Sequence, residues 1–419
     1  MAELGPVWLA VAVLAATVAI AVVAGRTTIP ASVGLVLLGL AVAVLGPGVV
    51  PAIPPELLLA IVLPGLVFEA AFRTDLELLR PTALPILVLA VPGVVVVAGI
   101  VAAILSATTG LSLAEGFLVG AMVAATDPAA VLSTFRHVHV PARLATMVEM
   151  ESLVNDGTGI VLFALAIEIL GGGGSLGGSL LAFVVRVAGG GLLGAAAGWL
   201  GATLVRRVDD HLAELTLTVV LAYGAYLVAE SAGLSGVIAT LFAAGVFGAS
   251  ARGALTERAV DAIDVVWEFV AFLLTAGVFL LVGLSIAPSA LGQAAGSIAW
   301  GIVAILLARA IVVFGLLGGG SSLLARIRPA PPANPSDEEA PAAGWLGRPW
   351  LVVLFWAGLR GAVSVALALS VPASLPNREL IQGLTYGIVL FTLLVQGTTT
   401  AWVVRRSGAA TPAESVPAT

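Results

Sequence analysis

Apolar residues run through this chain in blocks of about 18 or more, parted by short polar turns, and that pattern admits only a bilayer as folding solvent. Inside a bilayer every backbone N–H and C=O must find a partner within the protein, so each block has to close its own hydrogen bonds as a helix. Thirteen blocks are read, near residues 6–25, 30–46, 56–72, 82–107, 113–135, 143–170, 176–204, 212–231, 233–250, 263–286, 295–318, 349–371 and 379–403. The expected fold class is an all-α polytopic membrane protein with 13 transmembrane helices. With 60% hydrophobic and 10% charged residues among 419, no soluble globular alternative survives. There is no Cys, which excludes disulfides and thiolate metal sites. The first block follows Glu3 and no positive charge, so it is read as a retained helix rather than a signal peptide.

The 18 basic residues are all Arg, and they sort by side. Counting alternate loops, fourteen of them, from Arg26 to Arg406, fall on one side and Arg378 alone on the other. The positive-inside rule then puts the N-terminus outside and the C-terminus in the cytoplasm of a cell-membrane protein. Arg186, Arg309 and Arg360 lie inside spans, where each needs a carboxylate, a carbonyl or water. Residues 329–347 are rich in Pro and Ala and read as an unstructured cytoplasmic loop, with 404–419 as a short tail. Gly190, Gly194 and Gly198 present one smooth helix face, for a dimer contact or for internal packing. Trp8, Trp267, Trp350 and Trp402 lie near block ends and read as interfacial anchors.

Four carboxylates interrupt the apolar pattern between Ala124 and Ile160: Asp127, Glu149, Glu151 and Asp156. A lone carboxylate at the bilayer centre costs about 2.5–3.5 kcal/mol even on insertion scales, so the cluster marks an ion or proton site. Pro128 has no N–H and collides with the carbonyl of Ala124, so the helix through Thr126-Asp127-Pro128 is expected to break there and leave that carbonyl free. Broken backbone at this depth is tolerated only where it lines an enclosed or watery cavity. Thr126, Asp127 and freed carbonyls are hard oxygen ligands suited to an alkali cation. In the run from Glu151 to Asp156, residues four apart share a helix face, which groups Ser152 with Asp156 and Glu151 with Asn155. Asp156 is then the exchangeable carboxylate, Ser152 a hydroxyl ligand beside it, and Glu151 the buried anion that an intramembrane Arg must neutralise.

The pairing of ATDPAAV with ESLVNDG, together with LPGLVFEAAF (63–72), FLLTAGVFLLVGLSI (272–286) and GLRGAVSVALAL (358–369), resembles the NhaP-type, electroneutral branch of the monovalent cation/proton antiporters. The resemblance covers most of the chain. It implies an NhaA-like architecture: inverted six-helix repeats, here 1–175 and 212–403, flank a linker helix at 176–211, and the fifth and twelfth helices are interrupted and cross. By the family pattern the ion-binding carboxylate is Asp156. Thr126, Asp127, Ser152 and Asn155 ligate the cation or brace the site, with Na⁺ at Asp127, Ser152 and Asp156, and Glu69 reaches it through water. Glu151 and Arg360 match a structural ion pair, and Arg309 a further basic position of the core. A homodimer is a family expectation. One departure is visible, since Thr275-Ala276 stand where related sequences commonly carry Asn-Ser.

The implied function is exchange of Na⁺ (or Li⁺) for H⁺, one for one, with both ions competing for Asp156. No cofactor, no enzymatic step and no nucleic acid enter it. Electrogenic relatives carry Asp-Asp where this chain has Asn155-Asp156, and a membrane Lys that this chain lacks. The alternatives are K⁺/H⁺ exchange on the same fold, a Na⁺-coupled symporter of an organic solute, and an intramembrane hydrolase using Asp127 and Asp156. The last lacks the GxGD setting of the aspartyl type.

Overall fold

The computed structural model describes residues 5–24, 30–45, 54–172, 176–286, 291–292, 294–320 and 346–410. Most of the loop expected at 329–347, and the tail beyond 410, lie outside them. Every regular element described is helical, and eight helices are long and apolar enough to cross a membrane. In chain order they are α1 (Gly5–Ala24), α2 (Ala31–Leu45), α3 (Pro55–Arg73), α4 (Leu76–Ala90), α5 (Pro92–Thr108), α6 (Leu113–Ala124), α7 (Ala129–His137), α8 (Ala142–Leu170) and α9 (Leu176–Val205). There follow α10 (His211–Ser231), α11 (Gly236–Ala251), α12 (Glu257–Ser285), α13 (Ala295–Ala310), α14 (Arg348–Trp356), α15 (Ala362–Leu369), α16 (Arg378–Phe391) and α17 (Thr398–Ser407). α4 and α5 form one span bent at Val91; α13 continues as a π-helical stretch, Ile311–Gly318, and another, Thr392–Gly397, joins α16 to α17.

Helix starts are set by side chains that take up the first free N–H groups. Ser112 and Glu115 make a reciprocal capping box on α6, and Asp210, Ser235 and Thr256 cap α10, α11 and α12.

The helices pack as two groups: α2, α3 and α9 to α12 in one, α4 to α8 with α13 to α17 in the other. They meet along α3, α8, α11, α12 and α15. No hydrophobic force drives helices together in lipid, so close backbone approach has to supply the attraction. Three glycine seams do so. Gly190, Gly194 and Gly198 of α9 lie on the backbone of Ser235, Ala239 and Ala243 of α11, Gly116 and Gly120 of α6 on Ala102 and Ala98 of α5, and Gly39 of α2 on Gly283 of α12. The α9 glycine face is therefore used within the chain, which decides between the two roles the sequence left open.

Two of the expected interfacial tryptophans are internal. Trp267 is buried, its Nε1 donates to Thr218 Oγ1 at 2.9 Å and its ring centroid lies 4.8 Å from that of Phe68. Trp350 is buried as well, whereas Trp402 is exposed under the Arg406 guanidinium, 5.3 Å from its ring. An indole can be wholly buried once its N–H has a partner, and Thr218 supplies one to Trp267. Arg186 pairs with Glu168 at 2.5 Å.

A Cβ at Gly194 would overlap the Ala239 carbonyl, whereas one at Gly245 meets nothing within 4 Å. Gly194→Ala is expected to cost about 1–3 kcal/mol through overpacking, read as a lower midpoint of thermal unfolding in detergent, with Gly245→Ala unchanged or higher.

Candidate ion-binding site

The site is built where two helices stop short and face each other. α6 ends at Ala124 and α7 begins at Ala129, the interruption that Pro128 requires. α14 ends at Trp356 and α15 begins at Ala362. The two breaks are joined by a backbone hydrogen bond, Asp127 N–H to the Leu359 carbonyl at 2.8 Å. Each break exposes one N-terminal and one C-terminal helix end, which carry opposite partial charges.

Both positive ends point at Asp127. The Ala129 N–H of α7 donates to its Oδ1 at 2.9 Å, and the Ala362 N–H of α15 faces the same carboxylate. Gly361 lies so close that a Cβ there would overlap the carboxylate. Both negative ends meet arginines. Arg360 Nη1 donates to the carbonyls of Ala124 at 2.6 Å and Ala125 at 3.0 Å, at the end of α6. Arg309 Nη2 donates to the Leu354 carbonyl of α14 at 2.9 Å. The Ala124 carbonyl, expected from sequence to be a free cation ligand, is thus taken by Arg360.

The pairing of Glu151 with Arg360 is not formed. Glu151 is held by Arg309, whose Nη2 donates to Oε2 at 2.9 Å while Nη1 closes a second contact with Oε1. Both side chains are buried, at 2% and 6% exposure. The physical reason is competition for donors: the bare carbonyls of α6 engage the Arg360 guanidinium, whereas Arg309, on the last turn of α13, offers a two-pronged fork that matches a carboxylate.

Thr126, Ser152 and Asn155 do come together. Asn155 Oδ1 accepts from the Thr126 N–H at 3.0 Å, Asn155 Nδ2 donates to Thr126 Oγ1 at 2.6 Å, and Thr126 Oγ1 shares a hydrogen bond with Ser152 Oγ at 2.9 Å. This lattice fixes α8 against the break in α6–α7. Asp156 is different, because its carboxylate accepts no hydrogen bond from any described residue.

Thr126, Asp127 and Asp156 line one cavity of about 460 Å³ between the two helix groups, together with Glu69, Glu149, Thr275, Ala276 and Ser364. Glu69 reaches this cavity as expected, but its carboxylate is tied to Arg73 at 2.8 Å. The cavity runs outward to the exposed Glu268 and to Arg73 and Arg136. Glu149 belongs to the carboxylate cluster read from the sequence but has no role assigned at the site, and Ser364 is not read from the sequence at all. Glu149 stands two residues before Glu151, which turns it onto another face of α8, and Ser364 sits in the motif around Arg360 without a charge to draw notice.

A carboxylate pair at the meeting of two interrupted helices, deep in an all-helical membrane protein, defines the class of ion-coupled secondary carriers. The chain belongs to the sodium/hydrogen exchanger family: residues 12–406 match the family model described as sodium/hydrogen exchanger, transmembrane. It is 38% identical over 387 residues to the Na⁺/H⁺ antiporter ApNhaP of Aphanothece halophytica, covering 91% of this chain and 70% of that protein. It is 34% identical over 369 residues to the Na⁺/H⁺ antiporter NhaP of Pseudomonas aeruginosa, covering 86% and 83%. In fold it is similar to the sodium proton antiporter MjNhaP1 of Methanocaldococcus jannaschii, with a TM-score of 0.74 at 21% identity over 96% of this chain and 98% of that one. The chain is an integral multi-pass membrane protein and a transporter by family.

Arg309→Ala is expected to destabilise the protein by about 3–5 kcal/mol, since it strands a buried carboxylate. The double change Glu151→Leu with Arg309→Met should recover most of that loss in detergent melts, whereas Glu151→Leu combined with Arg360→Met should not.

Proposed function

We propose that this protein exchanges Na⁺ or Li⁺ for H⁺ across the cell membrane, one for one and without net charge movement, at Asp156. The observation that carries the reading is the contrast between the two carboxylates of the cavity. Asp127 is held by the N–H groups of two helix N-termini, while Asp156 accepts no hydrogen bond from a described residue and is free to take either a cation or a proton. Arg309 and Arg360 are fixed counter-charges, since a guanidinium does not give up its proton in proteins. Only Asp156 then changes partner, so the carrier loaded with cation and the carrier loaded with proton bear the same charge.

In this reading the cation is bound by Asp156 and Asp127 with Ser152 and Thr126, Asn155 braces them, and Glu69 receives the ion from the water of the cavity. The fold is taken as thirteen spans in two inverted repeats, 1–175 and 212–403, about the linker helix 176–211. The Arg-rich end of the cavity is then cytoplasmic, the N-terminus lies outside, and the functional unit is a homodimer. Sliding of one helix group against the other, with the site between them, would expose Asp156 to each side in turn. Family membership, the names of the relatives and the place of the cavity between the groups support these assignments. A K⁺/H⁺ exchanger is the second reading, because Thr275 and Ala276, where related sequences commonly carry Asn-Ser, line the cavity and leave the choice of cation open.

In proteoliposomes of set internal pH, NaCl or LiCl should dissipate the proton gradient with the parent and not with Asp156→Asn, and KCl identifies the second reading. The rate should not change when valinomycin clamps the potential, whereas a net charge moved per cycle would be biased by about 2.3 kcal/mol per 100 mV. With equal pH on both faces, activity should fall at both extremes of a range from about pH 5 to 9, because acid leaves Asp156 protonated on both sides and alkali starves it of protons. A monotonic rise to the alkaline limit would reject competition at Asp156.

A further inference from the structure

We propose that Ser364 is a further cation ligand of the transport site and sets its preference among alkali ions; this rests on the antiport reading. Ser364 lies in the first turns of α15, three residues past Gly361, which packs on the Asp127 carboxylate. Ser364 is 1% exposed, and its buried hydroxyl has no hydrogen-bond partner among the described residues. It lines the same cavity as Thr126, Asp127 and Asp156. α15 is wedged among α3, α6, α8, α12 and α16, so Ser364 lies on a helix at the contact of the two helix groups.

Ser32, at the start of α2, is the other unpartnered serine lining this cavity, and for Ser364 the lack of a partner follows from the break. A helical Ser or Thr ordinarily bonds back to a carbonyl one turn earlier. Ser370 at the end of the same helix does so with Ala366 at 2.9 Å, and Thr385 and Thr400 do so with Ile381 and Gln396. For Ser364 the residue one turn earlier is Arg360, which belongs to the non-helical segment before α15, and Gly361 is non-helical at φ −146°, ψ −134°. The break thus removes the acceptor that would otherwise occupy this hydroxyl.

A buried hydroxyl with no partner is costly and calls for a reason. The other hydroxyls at the break are engaged: Thr126 Oγ1 is bonded to Asn155 Nδ2 and to Ser152 Oγ. Ser364 is an uncommitted hydroxyl at the break, and an alkali cation between Asp127 and Asp156 is a partner of the right chemistry. A neutral oxygen at a fixed place also discriminates by ionic radius, which two carboxylates alone do poorly. A proton on Asp156 has no use for it. Loss of the hydroxyl should therefore weaken cation binding and leave the proton half of the cycle intact.

The test compares the parent with Ser364→Ala and Ser364→Thr. In proteoliposomes of set internal pH, Na⁺, Li⁺ and K⁺ titrations of proton movement give KM and maximal rate. Ser364→Ala is expected to raise the Na⁺ KM roughly fivefold or more, to change the Na⁺/Li⁺ KM ratio, and to leave the maximal rate within about twofold, as befits one lost oxygen ligand. Ser364→Thr, which keeps the hydroxyl, should hold the parent's KM ratio. In detergent and sodium-free choline buffer, Ser364→Ala should melt at or above the parent, because it removes an unsatisfied group, and the rise in midpoint on adding Na⁺ should need several times more salt. An unchanged KM for all three ions overturns the assignment, as does a fall in maximal rate alone. A parent that moves no protons with any cation overturns the antiport reading itself, and the parent arm tells that failure from the others.

Discussion

The structure depends on how charge is matched to the ends of two broken helices. A continuous span hides its backbone from lipid; a broken one exposes N–H groups on one side of the gap and carbonyls on the other, with nothing in hydrocarbon to receive them. Here the two gaps are set against each other, so that one anion, Asp127, serves both positive ends, and Arg360 and Arg309 serve the negative ends of α6 and α14. Remove the match and irregular backbone could not persist at this depth. The match also leaves an open, polar space in which a second carboxylate, Asp156, can sit without a protein partner.

Arg309 ties this centre to the rest of the core. Its fork closes on Glu151 of α8 while one of its nitrogens also holds the Leu354 carbonyl, so α8, α13 and α14 are joined at one point. Asn155, Thr126 and Ser152 fasten the next turns of α8 to the break in α6–α7. These bonds are fully buried and multiply shared, and they make the group of α4 to α8 with α13 to α17 stiff around its ion site. The other group is held by glycine seams, with few buried charges among its contacts. The cavity falls between the two, where α3 and α12 of one face α8 and α15 of the other. A stiff ion-carrying body beside a smooth partner suits a carrier that works by sliding one against the other.

Much of this could be read from the chain. Pro128 by itself called for a gap after Ala124, and the gap is there. The spacing put Ser152 on the face of Asp156, whereas it grouped Asn155 with Glu151, and Asn155 is found bonded to Thr126 at the gap. Other points could not be read. Motif matching joined Glu151 to Arg360, but which of two intramembrane arginines reaches a carboxylate depends on what else competes for its donors, and the carbonyls of Ala124 and Ala125 have no signature in sequence. The glycines of α9 looked the same for a dimer seam as for an internal one, and only α11 lying on them decides. Trp267 sits near the start of an apolar block, yet Thr218, 49 residues away in the chain, gives its N–H an internal partner.

The sequence alone determined that this chain lies in a bilayer, where its helices run, where one must break and which carboxylates lie at the break. Those features are set by local chemistry: apolar length, a missing proline N–H, and residues one turn apart. Tertiary structure decided the partners: Arg309 for Glu151, Arg360 for the α6 carbonyls, two helix ends for Asp127, and no hydrogen bond from any described residue for Asp156 or Ser364. Partners are chosen by which donors and acceptors are left over once helices from distant parts of the chain have packed, and that remainder exists only in three dimensions.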